Sequence, residues 1–488
     1  MSTAARSSAA APWHGRLVLV AGLGVSGMAA AQALLDRGAR VRVADAGDDA
    51  PLRERAETLR AAGAEVRLGV ANPEPDLDVD LVVVSPGLAD SSPLLAPALA
   101  AGTPVWSEAE LAWRCNEGRT RLVAVTGTNG KTTTTQLLAR CLDAPAAGNI
   151  GTALVTVLGA HDPPPLVVAE LSSFQLQRVS TLRPDVAVLL NLAPDHLDRH
   201  GSMAAYGLAK ARIWARQRAQ DWAVVDTGDP ATATLLRAAP PPGRRAGFTL
   251  GFPAPACAGI VDGTVVWRSP QGKLDPVVEV EVLDASGLRG PHNRANVAAA
   301  VAAAVCAGAD PSSLRAAIES FRLGGHRLAQ VASVDGVDYV DDSKATNPHA
   351  AAAAVASFPH VVWIAGGLAK GLGVAAFEAL SPLLAQRARA VVTIGTSGPD
   401  IAAFARGLGL PTVEAGTLEA AVPLARDLAQ AGDTVLLAPA CASMDQFTDY
   451  AHRGRRFVEL VAALGGRPAA TASADSADST RSTHSGGS

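Results

Sequence analysis

The chain is poor in lysine. Of its 42 basic residues only five are lysine: Lys131, Lys210, Lys273, Lys344 and Lys370. Arginine carries the surface charge here, so a retained ammonium suggests a task that guanidinium cannot perform. Lys273, in a Pro/Gly-flanked loop, reads as ordinary. Cysteine is scarce too. Cys115, Cys141, Cys257, Cys306 and Cys441 show no CxxC spacing, which indicates neither a disulfide framework nor a zinc site and suits a reducing cytoplasm. No basic excess exists, and a net charge of −4 leaves no field for nucleic acid. The Ala-rich run 297–308 is too short to enter a membrane as a span. The first fifteen residues lack the apolar core of a secretory signal and read as a frayed terminus. What is abundant is apolar content, 48% of 488 residues, ample for several cores and two to four domains at ~100–200 residues each.

The densest chemistry lies in Arg121 to Leu142, RLVAVTGTNGKTTTTQLLARCL. Leu122 to Val125 predicts a buried parallel strand. Gly127 and Gly130 permit the tight turn of a phosphate cradle, and Lys131-Thr132 opens a helix whose free N–H groups face that loop. The usual P-loop spacing would place glycine at 125, where this chain has Val, so the loop is a variant. The bland alternative is a plain strand–turn–helix connection.

A second glycine loop precedes it. Strand Leu17 to Ala21 leads into Gly22, Gly24, Val25, Ser26 and Gly27, and strand Arg40 to Ala44 ends in Asp45. This spacing resembles a dinucleotide fingerprint, and it speaks more securely for a diphosphate near a helix N-terminus than for a nicotinamide. Strand Leu81 to Val84 ends in Ser85-Pro86-Gly87. A dehydrogenase would need a hydride-handling half immediately downstream; the chain goes to a P-loop instead.

Further polar groups follow strand ends. Strand Leu166 to Ala169 ends in Glu170, open to a magnesium role or to a solvated one. Strand Val186 to Asn191 leads to Asp195-His196, where ligand and core readings of the histidine stand level. Lys210 lies on a helix from about Ser202, and only the scarcity of lysine argues against a surface role. Pro240 to Pro255 reads as a connection, and Asp262-Gly263 as a hairpin turn. Asn293 and Asn296 share a face at the start of the 297–308 helix, with an N-cap role open for Asn293. Past Gly324-Gly325-His326-Arg327, a third α/β unit ends its strands in Asp342-Ser343-Lys344-Ala345-Thr346, in Lys370 and in Ser443-Met444. The fold class is α/β throughout: a Rossmann-like domain over 1–105, a P-loop domain over 106–322, a second Rossmann-like domain over 323–466 and a disordered tail over 467–488.

TGTNGKTT resembles the ATP loop of the Mur ligases and of folylpolyglutamate synthase. ELSSFQL, PDHLDRH, DDSKATNPHA and LLAPACASMDQF narrow the resemblance to the D-glutamate-adding branch of the Mur ligase family, over about residues 16 to 464. Two departures stand out: Gly325-His326-Arg327 where the family often has Pro-His-Arg, and Ala193-Pro194 in place of a Thr-Glu pair.

The resemblance implies roles. Gly127, Thr128, Asn129, Gly130, Lys131, Thr132 and Thr133 would hold the ATP phosphates, with Asn293, Asn296, Arg327 and Asp342 at further nucleotide positions. Thr132, Glu170, His196 and a carbamate on Lys210 would hold two Mg²⁺ ions. Lys131, His196 and Lys210 would serve catalysis. The Gly22 to Gly27 loop, Asp45, Ser85, Pro86, Gly87 and Asn149 would bind a UDP substrate. Lys344, Thr346, Lys370, Ser443 and Met444 would bind D-glutamate. The implied reaction joins D-glutamate to UDP-N-acetylmuramoyl-L-alanine at the expense of ATP, in a monomeric cytoplasmic enzyme. The alternatives are another Mur ligase, folylpolyglutamate synthase, or a P-loop ATPase that couples hydrolysis to conformational change.

Overall fold

The computed structural model describes residues 13–70, 79–370, 373–465 and the backbone of 467–468. Its strands form three sheets. The first holds β1 (Leu17–Ala21), β2 (Arg40–Ala44), β3 (Glu65–Arg67), β4 (Leu81–Val84) and β5 (Val105–Ser107), in the order β3-β2-β1-β4-β5, all parallel. Strand order reverses between β1 and β4. The Gly22 loop and Ser85-Pro86-Gly87 follow these two strands, so both lie at the crevice where open parallel sheets bind ligands.

The second sheet holds β6 (Arg121–Thr126), β7 (Ala146–Gly148), β8 (Leu166–Glu170), β9 (Val186–Leu189), β10 (Trp222–Asp226), β11 (Arg244–Phe248), β12 (Cys257–Val261), β13 (Thr264–Arg268) and β14 (Leu274–Glu279). Its order is β14-β13-β12-β11-β10-β9-β6-β8-β7. β6 lies between β8 and β9, parallel to both, so the P-loop, Glu170 and Asn191 leave neighbouring strand ends. Four consecutive threonines make Lys131–Cys141 a poor helix on propensity alone. Packing sustains it: Thr133, Thr134, Thr135, Leu137, Leu138 and Ala139 are all buried.

The third sheet holds β15 (Ala329–Val334), β16 (Val337–Asp341), β17 (Val361–Gly366), β18 (Ala388–Ile394), β19 (Thr412–Gly416), β20 (Thr434–Leu437) and β21 (Arg467–Pro468), in the order β19-β18-β17-β20-β16-β15-β21. β16, β20 and β17 are adjacent and parallel. Their following loops carry Lys344, Ser443 and Lys370.

The chain divides into two compact units. One comprises Met1–Leu192, Ala204–Val278 and Asn296–Ile318; the other comprises Ala193–Met203, Glu279–Ala295 and Glu319–Ser488. The first two sheets belong to the same unit because they share one apolar core, which runs from Val18, Val20 and Leu34 to Leu122, Ala124 and Leu154. The third sheet is filled on its two faces by separate clusters, around Tyr339 and Phe457 and around Trp363 and Leu436.

Several local expectations need correction. The Pro/Gly connection from Pro240 contains β11, because Gly247 and Phe248 pair in parallel with β10 despite their neighbours. β9 ends at Leu189, releasing Asn191 to the loop beyond. The helix bearing Asn293 starts earlier, as Gly290–Ala307, so Asn293 sits within it, and its Nδ2 donates to Arg289 O at 3.0 Å instead of capping. β19 was not foreseen. In the expected tail, Arg467–Pro468 pairs with β15, while 469–488 lie outside the described residues.

Candidate active site

In the first sheet, Gly22 has φ +93°, and a Cβ there would meet Ser85 Oγ at 2.7 Å. The Ser85 hydroxyl donates to Gly22 O at 3.0 Å, tying the two predicted UDP loops together. A Cβ on Gly27 would lie 1.9 Å from Gly22 O, so helix and loop approach only because glycine stands there. Asp45 accepts from Leu23 N at 2.6 Å and Gly47 N at 2.8 Å, bracing the glycine loop against the end of β2. Gly24 begins the Val25–Leu35 helix without a side-chain cap, and Val25 is exposed.

The P-loop is held by a residue that sequence reasoning did not select. Asn191 O accepts from Thr128 N at 3.0 Å, and its side chain accepts from Asn129 N at 2.9 Å and donates to Asn129 O at 3.2 Å. The Lys131 ammonium donates to Gly127 O at 3.0 Å and Thr128 O at 2.8 Å, folding back over its own loop. Gly130 has φ +81°, and a Cβ there would lie 2.2 Å from Asn296 Oδ1. Asn296 therefore packs on the phosphate loop, 166 positions earlier in the chain, through a contact that only glycine permits.

Glu170 is buried, so its solvated reading fails. Asn149 Nδ2 donates to Glu170 Oε1 at 2.8 Å, and Asn149 N donates to Glu170 O at 2.8 Å. Glu170 Oε2 is buried without a hydrogen-bond partner among the described residues. An orphaned carboxylate oxygen beside a P-loop has the chemistry of a hard-cation ligand. Among the described residues no three His, Cys, Asp or Glu side chains form a metal cluster. A magnesium ion here would thus take few protein ligands and complete its shell with phosphate oxygens and water.

Lys210 is not at the surface. It is 1% exposed on the Met203–Ala211 helix, with its ammonium 2.7 Å from Gly127 O and over the Tyr206 ring at 4.5 Å. Tyr206 in turn places its hydroxyl 3.3 Å from Thr128 Oγ1. A buried lysine reaching the P-loop is what the residue's scarcity hinted at.

The second compact unit gathers the remaining polar groups. His196 takes a left-handed φ of +54° and is half-buried, with Nε2 3.6 Å from Asp195 Oδ2. Asp195 Oδ1 accepts from Lys370 Nζ at 3.0 Å, and Oδ2 accepts from Asn347 Nδ2 at 3.3 Å. Lys370, at φ +50°, thus holds a carboxylate in this state. The Lys344 ammonium lies 3.7 Å from the centroid of the Tyr450 ring. Thr346 follows on the same connection, Ser443 is buried and Met444 is exposed. Backbone pairs lace the loops: Gly366 N to Pro439 O, Leu368 N to Ala442 O, and Ala440 N to Ala345 O. His326 Nδ1 lies 2.6 Å from Asp341 Oδ2. The protein around Asp342 strips water from its carboxyl and pushes it up to about 7, against Leu328 N and the Arg327 guanidinium, which favour the ionised form.

Three stretches match known domain families: residues 16–107 the Mur ligase MurD-like N-terminal domain, 125–304 the Mur ligase middle domain, and 326–441 the Mur ligase glutamate ligase domain. The chain is 50% identical over 464 residues to a UDP-N-acetylmuramoylalanine--D-glutamate ligase of Frankia casuarinae, covering 93% of this chain and 95% of that one. It is 46% identical over 472 residues to the protein of that name in Streptomyces avermitilis, covering 93% and 99%. Among solved structures, UDP-N-acetylmuramate-alanine ligase MurC from Thermotoga maritima shares the fold with a TM-score of 0.57 at 20% identity, over 92% of this chain and all of that one. MurF from Acinetobacter baumannii does so with a TM-score of 0.57 at 19% identity, over 86% and 90%. The chain belongs to the Mur ligase family.

Proposed function

We propose that this chain is the ATP-dependent ligase that joins D-glutamate to UDP-N-acetylmuramoyl-L-alanine, releasing ADP and phosphate in the assembly of peptidoglycan precursors. The observation that carries the amino-acid choice is the set of loops after β16, β20 and β17: they bring Lys344, Ser443 and Lys370 to one sheet edge, and Lys370 already grips a carboxylate. The relatives' D-glutamate ligase names support the same reading.

A carboxylate resists amide formation at neutral pH because oxide is a poor leaving group. Transfer of the γ-phosphoryl group to a carboxylate oxygen of the UDP substrate gives an acyl phosphate. The deprotonated amine of D-glutamate then attacks the carbonyl carbon, the C–O bond to phosphate breaks, and the amide nitrogen loses its second proton. Charge accumulates on phosphoryl oxygens throughout, so positioning and electrostatics carry the rate. Lys131 would leave its loop carbonyls for those oxygens. Thr132, Glu170, His196 and a carbamylated Lys210 would hold two Mg²⁺ ions, which supply charge neutralisation when bound. Gly127 to Thr133, Asn293, Asn296, Arg327 and Asp342 are assigned to ATP. The Gly22 and Ser85 loops with Asn149 are assigned to the UDP substrate. Thr346 and Met444 join the amino-acid site. The proposal includes three functional domains with boundaries near 105 and 322, and a monomeric cytoplasmic enzyme. Phosphate release measured over a panel of UDP-muramoyl acceptors and amino acids tests the reading. It should require UDP-N-acetylmuramoyl-L-alanine and D-glutamate together. Use of meso-diaminopimelate, or ATP hydrolysis needing neither substrate, would sink it.

A further inference from the structure

The Tyr450–Ala463 helix carries one of the largest fully buried side chains of the protein, Arg453, at 1% exposure. Its Nε donates to Ser343 Oγ at 3.0 Å, and its Nη2 donates to Ser343 O at 2.9 Å and Cys441 O at 3.1 Å. Ser343 immediately precedes Lys344, and Cys441 lies two residues before Ser443. One guanidinium therefore ties together the loops after β16 and β20. The third loop runs directly over it: Gly367, at φ +130°, would place a Cβ 3.2 Å from Arg453 Nη1. That Nη1 is buried and has no hydrogen-bond partner among the described residues.

The surroundings hold the guanidinium in place. Asp449 caps the helix, its Oδ1 accepting from His452 N at 2.7 Å, which fixes the turn bearing Arg453. Ser343 Oγ, while accepting from Arg453, donates to Tyr450 O at 2.8 Å. Ser343 N donates to Asp341 Oδ1 at 2.9 Å. Gly454 admits the His326 ring, which a Cβ there would meet at 2.1 Å. The same helical turn supplies the Tyr450 ring over which the Lys344 ammonium sits. An isolated buried cation is costly unless its hydrogen bonds replace water. Burial does push this guanidinium down, to about 10, which leaves it charged at neutral pH. A planar fork can address two loops at fixed angles, whereas an ammonium presents a single nitrogen.

We propose that Arg453 is a positioning residue of the amino-acid site: it sets the mutual spacing of Lys344, Ser443 and Lys370 by fastening two of their loops and supporting the third. This rests on the assignment of those three residues to D-glutamate. It predicts that damage at Arg453 appears in amino-acid binding and spares ATP and the UDP substrate.

The test is steady-state kinetics of Arg453→Lys with each substrate varied in turn, beside melting temperature. We expect the KM for D-glutamate to rise by about tenfold or more, since misplacing binding groups by fractions of an ångström is costly, while the other two KM values stay within about twofold. Arg453→Ala should regain part of its D-glutamate affinity with added methylguanidinium and none with methylammonium. Should Arg453→Lys not fold, Ser343→Ala removes the hydroxyl that accepts from Arg453 Nε and donates to Tyr450 O, leaves both carbonyl acceptors of Nη2, and should show the same selective rise, smaller in size. An equal rise in all three KM values, or no guanidinium rescue, would reduce Arg453 to a general packing element and overturn the proposal. Lys370→Ala is the control for the underlying assignment. If it leaves the D-glutamate KM unchanged, the amino-acid site lies elsewhere, whatever Arg453 does.

Discussion

Lys370 and Asp195 form an ion pair at 3.0 Å, with side chains only 13% and 8% exposed. Two unit charges at that distance attract by about 5–6 kcal/mol at an effective dielectric of 20, before desolvation is subtracted. Removing one member of such a pair costs on the order of 2–5 kcal/mol, mostly because the survivor stays buried and charged. Lys370→Ala therefore has two effects that must be separated. It strands Asp195, which lowers stability, and it removes the ammonium proposed to receive a substrate carboxylate. Asp195→Asn in the same background relieves only the first, because the amide still accepts a hydrogen bond and carries no charge. The expectation for the single variant is a lowered melting temperature and a D-glutamate KM raised at least about 30-fold, the factor that 2 kcal/mol represents. In the double variant the melting temperature should recover and the KM should not. Phosphate release with D-glutamate titrated at saturating ATP and UDP substrate reads the KM. If the double variant recovers both quantities, Lys370 serves only as the counter-ion of Asp195, and its assignment to the substrate is refuted.

Lys131→Ala should abolish turnover while binding of the UDP substrate, measured calorimetrically, stays within a few-fold of wild type, because the Gly22 loop belongs to a different sheet; loss of UDP binding in a folded variant would contradict that separation. Lys210→Ala should be nearly inactive and partly rescued by acetate, which can replace carbamate oxygens, whereas Lys210→Arg should stay inactive; wild-type turnover in Lys210→Arg would end the carbamate assignment. Glu108 is buried, with Oε1 accepting from Val155 N and Oε2 without a hydrogen-bond partner among the described residues, and burial raises its carboxyl from 4.5 to about 7. Between those values the native state holds more protons than the unfolded chain, so this group lowers stability as pH rises through that window, by at most about 3 kcal/mol. Glu108→Gln should flatten that slope and raise the melting temperature at pH 8 relative to wild type; an unchanged pH dependence of unfolding would show that the carboxyl ionises freely in the native state.

Much of the architecture was readable from the chain alone. Short β-branched runs such as Leu81 to Val84 and Val361 to Ala365 can be buried on both faces only in parallel sheets, and the polar residues just beyond them must then collect at the carboxyl edge. Lysine scarcity singled out Lys131, Lys210, Lys344 and Lys370, because in a chain that uses arginine for surface charge a retained ammonium suggests a task that guanidinium cannot perform. Local pattern was weaker where tertiary pairing overrides propensity. Arg244–Phe248 lies in a Pro/Gly-rich stretch, yet it becomes a strand because β10 offers it an open edge. The polar edge strand Thr412–Gly416 gave no apolar signal.

What only the tertiary structure decided is which distant groups meet. Asn296 sits so close to Gly130 that a Cβ there would collide with it, Asp195 holds Lys370 across 175 positions, and Arg453 reaches Ser343 and Cys441 from a helix that follows both. No periodicity encodes such pairings. In the Arg453 case, two strands adjacent in a sheet, β16 and β20, far apart in sequence, bring their loops to one edge. Hydrogen-bond geometry then selects the partners, and the need to compensate a buried charge makes them mutually dependent.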